Sequence, residues 1–482
     1  MNKLKIKRLN KTKKNKSKKR VRGGDNKKYY NRFMKNSRKK KLLAHTQNRE
    51  TNLSKMLNAA CKNPDNCLAV GPYDASIKIF FEDFRNLSFI NTSKVKRIGT
   101  PSANGFIIEL PFKKLNYTAY TVLKCSSSKG ADNLAYEYYV GKKFINNYIK
   151  ILPCFVETYD LYEFASETDY NTVFDAVKNR TINTINIQHL IHRVDTERIS
   201  INDFFEKSCV KNKQLCVLIQ HFDKFISLYD LITTDYDNIK YDLYNMIYQL
   251  YYSLSYLGSN YTHYDLHSNN VFLYKPFDGN KYILMRYHSG SKIIEFKSEY
   301  ILKIIDYGRN YFNNGKITSK YIIKELICPN ANCDPMCGKE VGYLDIQGSA
   351  DPNFNPLDSY WIDPIKPNLS HDLRALKYVK SWIPPFIKLT YLTRFGTPEN
   401  NTGKLNDIKN IFNAADTFED FLDGFNQQKS HKKYDSSWHQ AATMDIYEDG
   451  RDYEFTVMAD IAPAIQTPAV QTPAVQTPAY AP

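Results

Sequence analysis

The sequence predicts an α+β protein in which a small, mainly antiparallel sheet with one helix precedes a larger helical part. Short segments of alternating or continuous apolar residues, which are typical of strands, cluster between residues 95 and 220. A long segment with apolar residues at helical spacing follows at 241–257. The chain has 482 residues and is 42% hydrophobic, which is enough to bury a sizeable core.

The predicted elements follow one another in a simple order. Four segments have strand character: 105–110, 119–124, 155–162 and 215–220. A predicted helix at 135–149 lies between the second and the third of them. Residues 166–213 are polar and partly helical and are interpreted as an insertion. The segment 241–257 is apolar on nearly every face, as a buried helix is, and Gly258 is a suitable residue to end it.

The two ends of the chain have compositions that predict disordered tails. Residues 1–41 carry 20 Lys or Arg and one acid, Asp25, so the net charge of +17 belongs to a basic tail at 1–50. Such a tail is suited to nuclear targeting or to contact with nucleic acid or another acidic surface, or it serves as a solubilising arm. Residues 445–482 contain Gln-Thr-Pro-Ala three times and are interpreted as an extended, Pro-rich tail. The extension at 51–92 stays unassigned.

Neither membrane spanning nor secretion is predicted. No uninterrupted apolar stretch reaches the roughly 18 residues of a membrane span, so we expect no transmembrane segment and an intracellular location. Nine scattered cysteines favour a reducing compartment over a disulfide framework. Cys328, Cys333 and Cys337 would bind Zn²⁺ only if a fourth ligand arrived from elsewhere. Free structural cysteines are the preferred interpretation for these three and for Cys61 and Cys67.

The strongest chemical signal is a polar loop directly after the buried helix. Asp265 and Asn270 stand five residues apart in this loop, and an apolar segment follows. A carboxylate so placed can orient a hydroxyl and accept its proton, while an amide oxygen helps to hold a hard cation such as Mg²⁺. Asp306 comes at the end of a later apolar strand, with Gly308 to turn the chain. A second carboxylate there would complete a site for Mg²⁺ and nucleotide phosphates.

These two segments resemble the catalytic and metal-binding motifs of the protein kinase superfamily. Residues 263–270 read H-Y-D-L-H-S-N-N, against the family pattern H-R-D-L-K-x-x-N, and residues 306–308 read D-Y-G, against D-F-G. His267 and Tyr307 depart from the usual serine/threonine kinases, and the combination is similar to the atypical haspin kinases. The usage of Asn, Lys, Ile and Tyr resembles that of kinases from large DNA viruses, which implies a location in a host cell or a virion.

Further family elements appear in the expected order. Lys124 resembles the strand lysine that contacts nucleotide phosphates, and Glu137 resembles its ion-pair partner on the next helix. Gly99 and Gly105 occupy the place of the Gly-rich loop that covers the phosphates. Downstream, Asp372 resembles the aspartate that braces the catalytic loop from beneath.

The resemblance implies a two-lobed kinase-like fold. The small lobe would span 93–222, including the insertion at 166–213, and the larger helical lobe would span 223–444. A nucleotide would lie between the lobes.

The activity that this resemblance implies is ATP-dependent transfer of phosphate to Ser or Thr hydroxyls of protein substrates. Asp265 would be the catalytic base, and Asn270 and Asp306 would hold Mg²⁺. One alternative is a small-molecule kinase of the aminoglycoside or choline kinase type, although such enzymes usually lack the glycine and bracing aspartate seen here. The other is a catalytically weak pseudokinase scaffold, although none of the four principal site residues is lost: Lys124, Asp265, Asn270 and Asp306.

Overall fold

An eight-stranded, mainly antiparallel sheet dominates the first half of the computed structural model. Its strands are β1 (Cys61–Asn63), β2 (Asn66–Cys67), β3 (Lys96–Ile98), β4 (Gly105–Lys114), β5 (Tyr117–Ser126), β6 (Thr158–Phe164), β7 (Ile191–Arg193) and β8 (Leu215–Gln220). The spatial order is β1-β2-β5-β8-β6-β7, with β4 paired to β5 and β3 paired to β4. The four strands predicted from apolar patterning correspond to β4, β5, β6 and β8, so those predictions are confirmed.

Four helices accompany this sheet: α1 (Asp74–Phe80), α2 (Leu134–Lys143), α3 (Glu167–Lys178) and α4 (Ile201–Lys211). The helix predicted at 135–149 is α2, but it ends at Lys143 and continues only as a short 3-10 turn. The Asn133 side chain begins α2 by accepting a hydrogen bond from the backbone N–H of Tyr136 at 3.1 Å. The buried face of α2 packs against β6 and β8.

The second half of the described chain has more strands than the sequence predicts. Its helices are α5 (Leu228–Thr234), α6 (Leu243–Leu257) and α7 (Ser319–Tyr321), the last continuing as a π-helical segment at Ile322–Ile327. Its strands are β9 (Phe225–Ser227), β10 (Tyr261–Thr262), β11 (Val271–Tyr274), β12 (Lys281–Ser289), β13 (Lys292–Ser298), β14 (Ile301–Ile304), β15 (Tyr311–Phe312), β16 (His439–Tyr447) and β17 (Glu454–Val457).

These strands form three separate sheets. Strands β10 and β15 make a pair, β9, β11 and β14 make a second sheet, and the order β13-β12-β16-β17 makes a third. The described residues after Phe222 therefore combine strands with helices, where the sequence predicts mainly helices. The β12–β13 hairpin turns at Gly290, which has a φ of +59° that favours glycine.

The extended tail predicted at 445–482 does not include residues 445–457. Residues 445–457 are not an extended tail, because β16 runs to Tyr447 and β17 lies at Glu454–Val457. β16 pairs in parallel with β12, and this pairing joins segments more than 150 residues apart. Strand formation at 445–457 thus depends on a distant partner, and the recurrent Pro pattern begins only after this segment.

Helix α6 packs its aromatic side chains on this third sheet. The Tyr248 and Tyr252 rings contact the Tyr287 ring of β12 at centroid distances of 4.9 and 4.6 Å, and Tyr248 also contacts Phe296 of β13. The helix ends at Gly258, whose φ is +54°, as the sequence predicts. The sheet thus covers the helix that leads into the polar loop at 263–270.

The prediction that Cys61 and Cys67 are free is wrong, because they form a disulfide. The antiparallel register of β1 and β2 places the two residues opposite each other, with their Cα atoms 4.0 Å apart. Cys328 is also disulfide-bonded. Among the cysteines whose side chains the structure describes, Cys125, Cys154 and Cys216 are free and buried.

The structure describes residues 57, 61–63, 66–67, 74–102, 105–127, 133–223, 225–235, 242–329, 364–367, 372, 375 and 433–458. The basic tail at 1–50, Cys333, Cys337 and the Gln-Thr-Pro-Ala repeats lie outside these residues. Across the described ranges, no helix is long and apolar enough to cross a membrane. Those same residues contain no cluster of three or more His, Cys, Asp or Glu side chains suited to a metal.

Candidate active site

Two carboxylates, those of Glu137 and Asp306, contact the ammonium of Lys124. Lys124 lies on β5, between Ile107 of β4 and Val217 of β8. Its Nζ is 2.7 Å from Oε2 of Glu137 on α2 and 2.9 Å from Oδ1 of Asp306, which follows β14. The pair predicted from the sequence, Lys124 with Glu137, is therefore present as a direct ion pair.

Electrostatics keep Lys124 and Asp306 charged. Burial opposes the ammonium form of Lys124, but the carboxylates of Asp306 and Glu137 outweigh it and raise its pKa above the ordinary value. For Asp306, burial opposes ionisation, yet the adjacent ammonium of Lys124 outweighs it and lowers the pKa of the carboxyl. The site thus presents a fixed ammonium beside a fixed carboxylate, which suits binding of a phosphate and a metal ion together.

Asp265 and Asn270 are held in one loop by hydrogen bonds. The Asn270 side chain donates its Nδ2–H to the backbone carbonyl of Asp265 at 2.9 Å. The His267 side chain caps the following 3-10 turn by accepting from the backbone N–H of Asn269 at 3.2 Å. Among the described residues, the amide oxygen of Asn270 has no hydrogen-bond partner, so it can ligate a cation.

Two cationic or basic side chains flank the Asp265 carboxylate. Nη1 of Arg309 lies 3.6 Å from one carboxylate oxygen, and Nε2 of His267 lies 3.8 Å from the other. From the sequence, His267 is only a departure from the family pattern, and the contact of Arg309 with Asp265 is not predicted. Arg309 comes directly after Gly308, and only the turn at that glycine shows that it reaches back to Asp265.

Asp372 holds the start of the loop at 263–270 in place. Its two carboxylate oxygens accept the backbone N–H groups of His263 and Tyr264 at 2.8 and 2.9 Å. The Tyr251 hydroxyl of α6 donates to the Asp372 carbonyl at 2.9 Å. Tyr264 has a φ of +61°, an uncommon value for a bulky residue, so these contacts hold a strained backbone in place. The bracing contact that the sequence predicts for Asp372 is confirmed.

The register of two short strands brings Asn270 and Asp306 to the same end of their sheet. Val271 of β11 pairs with Ile304 of β14, and the N–H of Ile305 donates to the Asn270 carbonyl at 3.1 Å. Asp306 is the next residue and adopts a φ of +71°. Asn270 and Asp306, which carry an amide and a carboxylate oxygen of the kind that Mg²⁺ accepts as ligands, therefore flank the same end of two paired strands.

Gly99 directly follows β3, and Gly105 is the first residue of β4. Gly99 has a φ of +62°, which favours glycine. A Cβ at Gly105 would lie 2.3 Å from the Cys125 carbonyl oxygen, so only glycine fits there. Gly105 pairs with Ser126, two residues beyond Lys124. The structure thus joins Lys124, Glu137 and Asp306 by contact and Asp265 with Asn270 by a hydrogen bond, and it places Gly105 beside the end of β5.

Tyr307 fixes the segment after β14 to its neighbours through contacts that the sequence does not predict. Its hydroxyl accepts from the backbone N–H of Val156 and contacts the carbonyls of Val156 and Ile304, at 2.9 to 3.1 Å. The Tyr307 ring is buried, and a Cβ at Gly141 of α2 would come within 3.2 Å of it. The usual Phe at this position could not make the hydroxyl contacts.

His263 should make the stability of this site depend on pH. Its Nε2 lies 2.9 Å from the Ile305 carbonyl and donates to it, while its buried Nδ1 has no partner among the described residues. Burial lowers the pKa of His263, so the unfolded chain binds a proton more readily than the folded one. Its contribution is present above the unfolded pKa of about 6.5 and is lost as the pH falls towards the folded pKa.

We expect His263→Gln to remove this loss, because Gln keeps a donor for the Ile305 carbonyl and does not titrate. The free energy of unfolding, measured with denaturant between pH 7.5 and 5.5, should fall more steeply with decreasing pH for wild type than for the variant, by up to about 1.4 kcal/mol per pH unit. Parallel curves for the two proteins would contradict a neutral His263 in the folded state.

Comparison with known proteins gives no match, either to a protein-family model or to a curated protein. The resemblance to protein kinases therefore rests on the residues and on the geometry described above.

Proposed function

We propose that this chain is an ATP-dependent phosphotransferase of the protein-kinase type that acts on Ser or Thr hydroxyls of protein substrates. The observation that carries the proposal is the double contact of Lys124 with Glu137 and Asp306. In protein kinases a strand lysine pairs with a helix glutamate, and an aspartate beside them holds the metal that bridges the phosphates. Here the three residues come from β5, α2 and the segment after β14.

A two-lobed arrangement follows from this proposal. The sheet that carries Lys124 together with α2 would be the small lobe, and α6 with the loop at 263–270 would belong to the larger one. Residues 220–222 connect β8 to the segment that leads into β9 and α5. A nucleotide between the lobes would meet the β3–β4 connection on one side and the Asp306 segment on the other.

The residues fit a bound nucleotide with its magnesium ion. Mg²⁺, when bound, would neutralise charge on the transferred phosphate and orient it. Asn270 and Asp306 would hold the ion through the amide oxygen and the carboxylate oxygen that does not contact Lys124. Lys124 would shift from its two carboxylate partners towards the phosphates while Glu137 keeps it in position.

Asp265 would act on the acceptor rather than on the nucleotide. Its carboxylate orients the acceptor hydroxyl and takes its proton as the oxygen–phosphorus bond forms and the bond to the leaving ADP oxygen breaks. Arg309 and His267, 3.6 and 3.8 Å from this carboxylate, hold its orientation. Most of the rate enhancement would come from positioning and charge neutralisation.

The direct test is phosphate transfer from γ-labelled ATP by the purified full chain with Mg²⁺. One set of reactions contains a mixture of unfolded proteins and Ser/Thr peptides, and another contains aminoglycosides, choline and related small alcohols. Label on protein Ser or Thr supports the proposal. Label only on small molecules would assign the small-molecule activity instead, and ATP binding without any transfer would assign a scaffold role.

Breaking the central ion pair should weaken catalysis without unfolding the chain. We expect Glu137→Gln to lower kcat/KM about 10–100-fold, because the charge that positions Lys124 is removed from a nearly buried contact. A matched control is Glu167→Gln, which removes a Lys–Glu pair of similar length, 2.9 Å, between exposed residues of α3 and the 3-10 turn before β8. Equal losses in the two variants would contradict the role of Glu137.

A further inference from the structure

A cavity of about 480 Å³ lies outside the candidate active site. It is lined by α1, by two stretches of the segment between α2 and β6, at 149–150 and 155–157, by the end of β8, by β14, and by β17 with the loop before it. Lys124, Asp265, Asn270 and Asp306 do not line it. Its volume lies within the usual range for small-molecule sites, about 300–1,000 Å³.

The deep end of the cavity carries a buried lysine with unused hydrogen-bond donors. Lys303 on β14 is only 4% exposed. Its ammonium donates to the Pro153 carbonyl and lies over the Phe222 ring, 4.8 Å from the centroid. An ammonium has three donors, and within the described residues only one of them has an acceptor. Lys303 therefore offers hydrogen bonds, and a positive charge, to a group inside the cavity.

A carboxylate with an unused acceptor lines the same cavity. One Asp74 oxygen pairs with Lys78 at 2.7 Å, while the other, Oδ1, is buried and has no hydrogen-bond partner among the described residues. Glu157, a neighbouring carboxylate, is satisfied by Lys78, which contacts both of its oxygens at 2.7 and 2.9 Å. Burial of Asp74 raises the pKa of its carboxyl, and Lys303 and Lys78 oppose that effect. With Glu157 paired to Lys78, Asp74 contributes a negative charge to the cavity and Lys303 a positive one.

Aromatic side chains form the apolar wall between these groups. Phe155 is almost fully buried, and Tyr453 and Phe455 also line the cavity. The rim carries the exposed residues Lys150 and Glu454, so charges of both signs also surround the entrance. Small-molecule sites commonly combine such apolar walls with a few polar groups that fix orientation.

We propose that this cavity binds a small zwitterion, whose ammonium contacts Asp74 and whose carboxylate contacts Lys303. A ligand with only a cationic group would leave the Lys303 donors unused and would bring a second positive charge near them. A ligand with only an anionic group would meet the unpaired oxygen of Asp74. A molecule that carries both groups satisfies both side chains, and its methylene chain would lie against Phe155 and Phe455.

The test uses the full chain and probes that separate the two charges. Binding of β-alanine, 4-aminobutanoate and 6-aminohexanoate is measured by calorimetry and compared with n-butylamine, sodium butanoate and sodium chloride. We expect saturable binding of at least one zwitterion and at least about tenfold weaker binding of the amine and the carboxylate, since each lacks one charge-assisted hydrogen bond. Equal affinity for n-butylamine and the best zwitterion would overturn the role of Lys303.

Variants locate the binding in the cavity. Asp74→Asn and Lys303→Met should each weaken the best zwitterion about tenfold or more, whereas Asp452→Asn, at the exposed rim, should change its affinity less than threefold. Circular dichroism and thermal unfolding establish that each variant is folded. The comparison of probes on the unaltered chain tests the proposal without any variant. No binding by any probe, displacement of the zwitterion by ATP, or unchanged affinity in folded Asp74→Asn and Lys303→Met would overturn the proposal.

Discussion

Replacing Asp265 by Asn is expected to lower the rate of phosphate transfer about 10²–10⁴-fold while leaving ATP affinity nearly unchanged. The amide cannot take up the proton of the acceptor hydroxyl. In the proposed mechanism the Asp265 carboxylate acts on the acceptor and not on the nucleotide, so ATP binding should not need it. The loop should keep its shape, because the Asn270 side chain bonds to the backbone carbonyl of residue 265 rather than to its carboxylate. The two ion pairs with Arg309 and His267 are long, so their loss should cost little stability.

Single-turnover transfer from labelled ATP and binding of a fluorescent ATP analogue measure the two effects separately. Asp203→Asn is the matched control, since Asp203 lies exposed in the first turn of α4 and far along the chain from the loop. Transfer by Asp265→Asn at the wild-type rate would remove Asp265 from the catalytic role. A parallel loss of transfer and of ATP affinity would indicate that the loop itself has changed.

Replacing Asp306 by Asn should act on binding instead, and is expected to weaken Mg²⁺-dependent ATP binding at least about tenfold. The substitution removes a metal-binding carboxylate and one of the two negative charges on Lys124. Lys124 would keep Glu137 at 2.7 Å, so the fold of the small sheet should survive. Without Mg²⁺, the affinity for ATP should be similar to wild type or slightly higher, because a negative charge near the phosphates is gone.

Titrating ATP in the presence of Mg²⁺ and again in the presence of EDTA measures this difference. Asp445→Asn serves as the control, because Asp445 on β16 also has a basic partner, His288, at 2.7 Å, but belongs to the third sheet. If Asp306→Asn bound ATP equally well in both conditions, and as tightly as wild type, Asp306 would not hold the metal ion. A loss of the same size in EDTA would point to damage in the fold.

The sequence alone was sufficient to predict four strands of the first sheet and the pairing of Lys124 with Glu137. Asp265 and Asn270 lie in one short loop, so chain connectivity brings them together. Lys124 and Glu137 are 13 residues apart, on a strand and the helix that follows it. Alternating apolar residues identified β4, β5, β6 and β8. Successive side chains of a strand point to opposite faces of the sheet, so the pattern is visible within a few residues.

Other features were decided only by the tertiary structure, because they depend on contacts between distant segments. The parallel pairing of β12 with β16, and hence the strands at 445–457, needs two segments more than 150 residues apart. The contact of Arg309 with Asp265 depends on the turn after Asp306, and the cavity depends on α1, β14 and β17 packing together. A local pattern records propensity and polarity, but which remote strand or charge a residue meets is set by the packing of the whole chain.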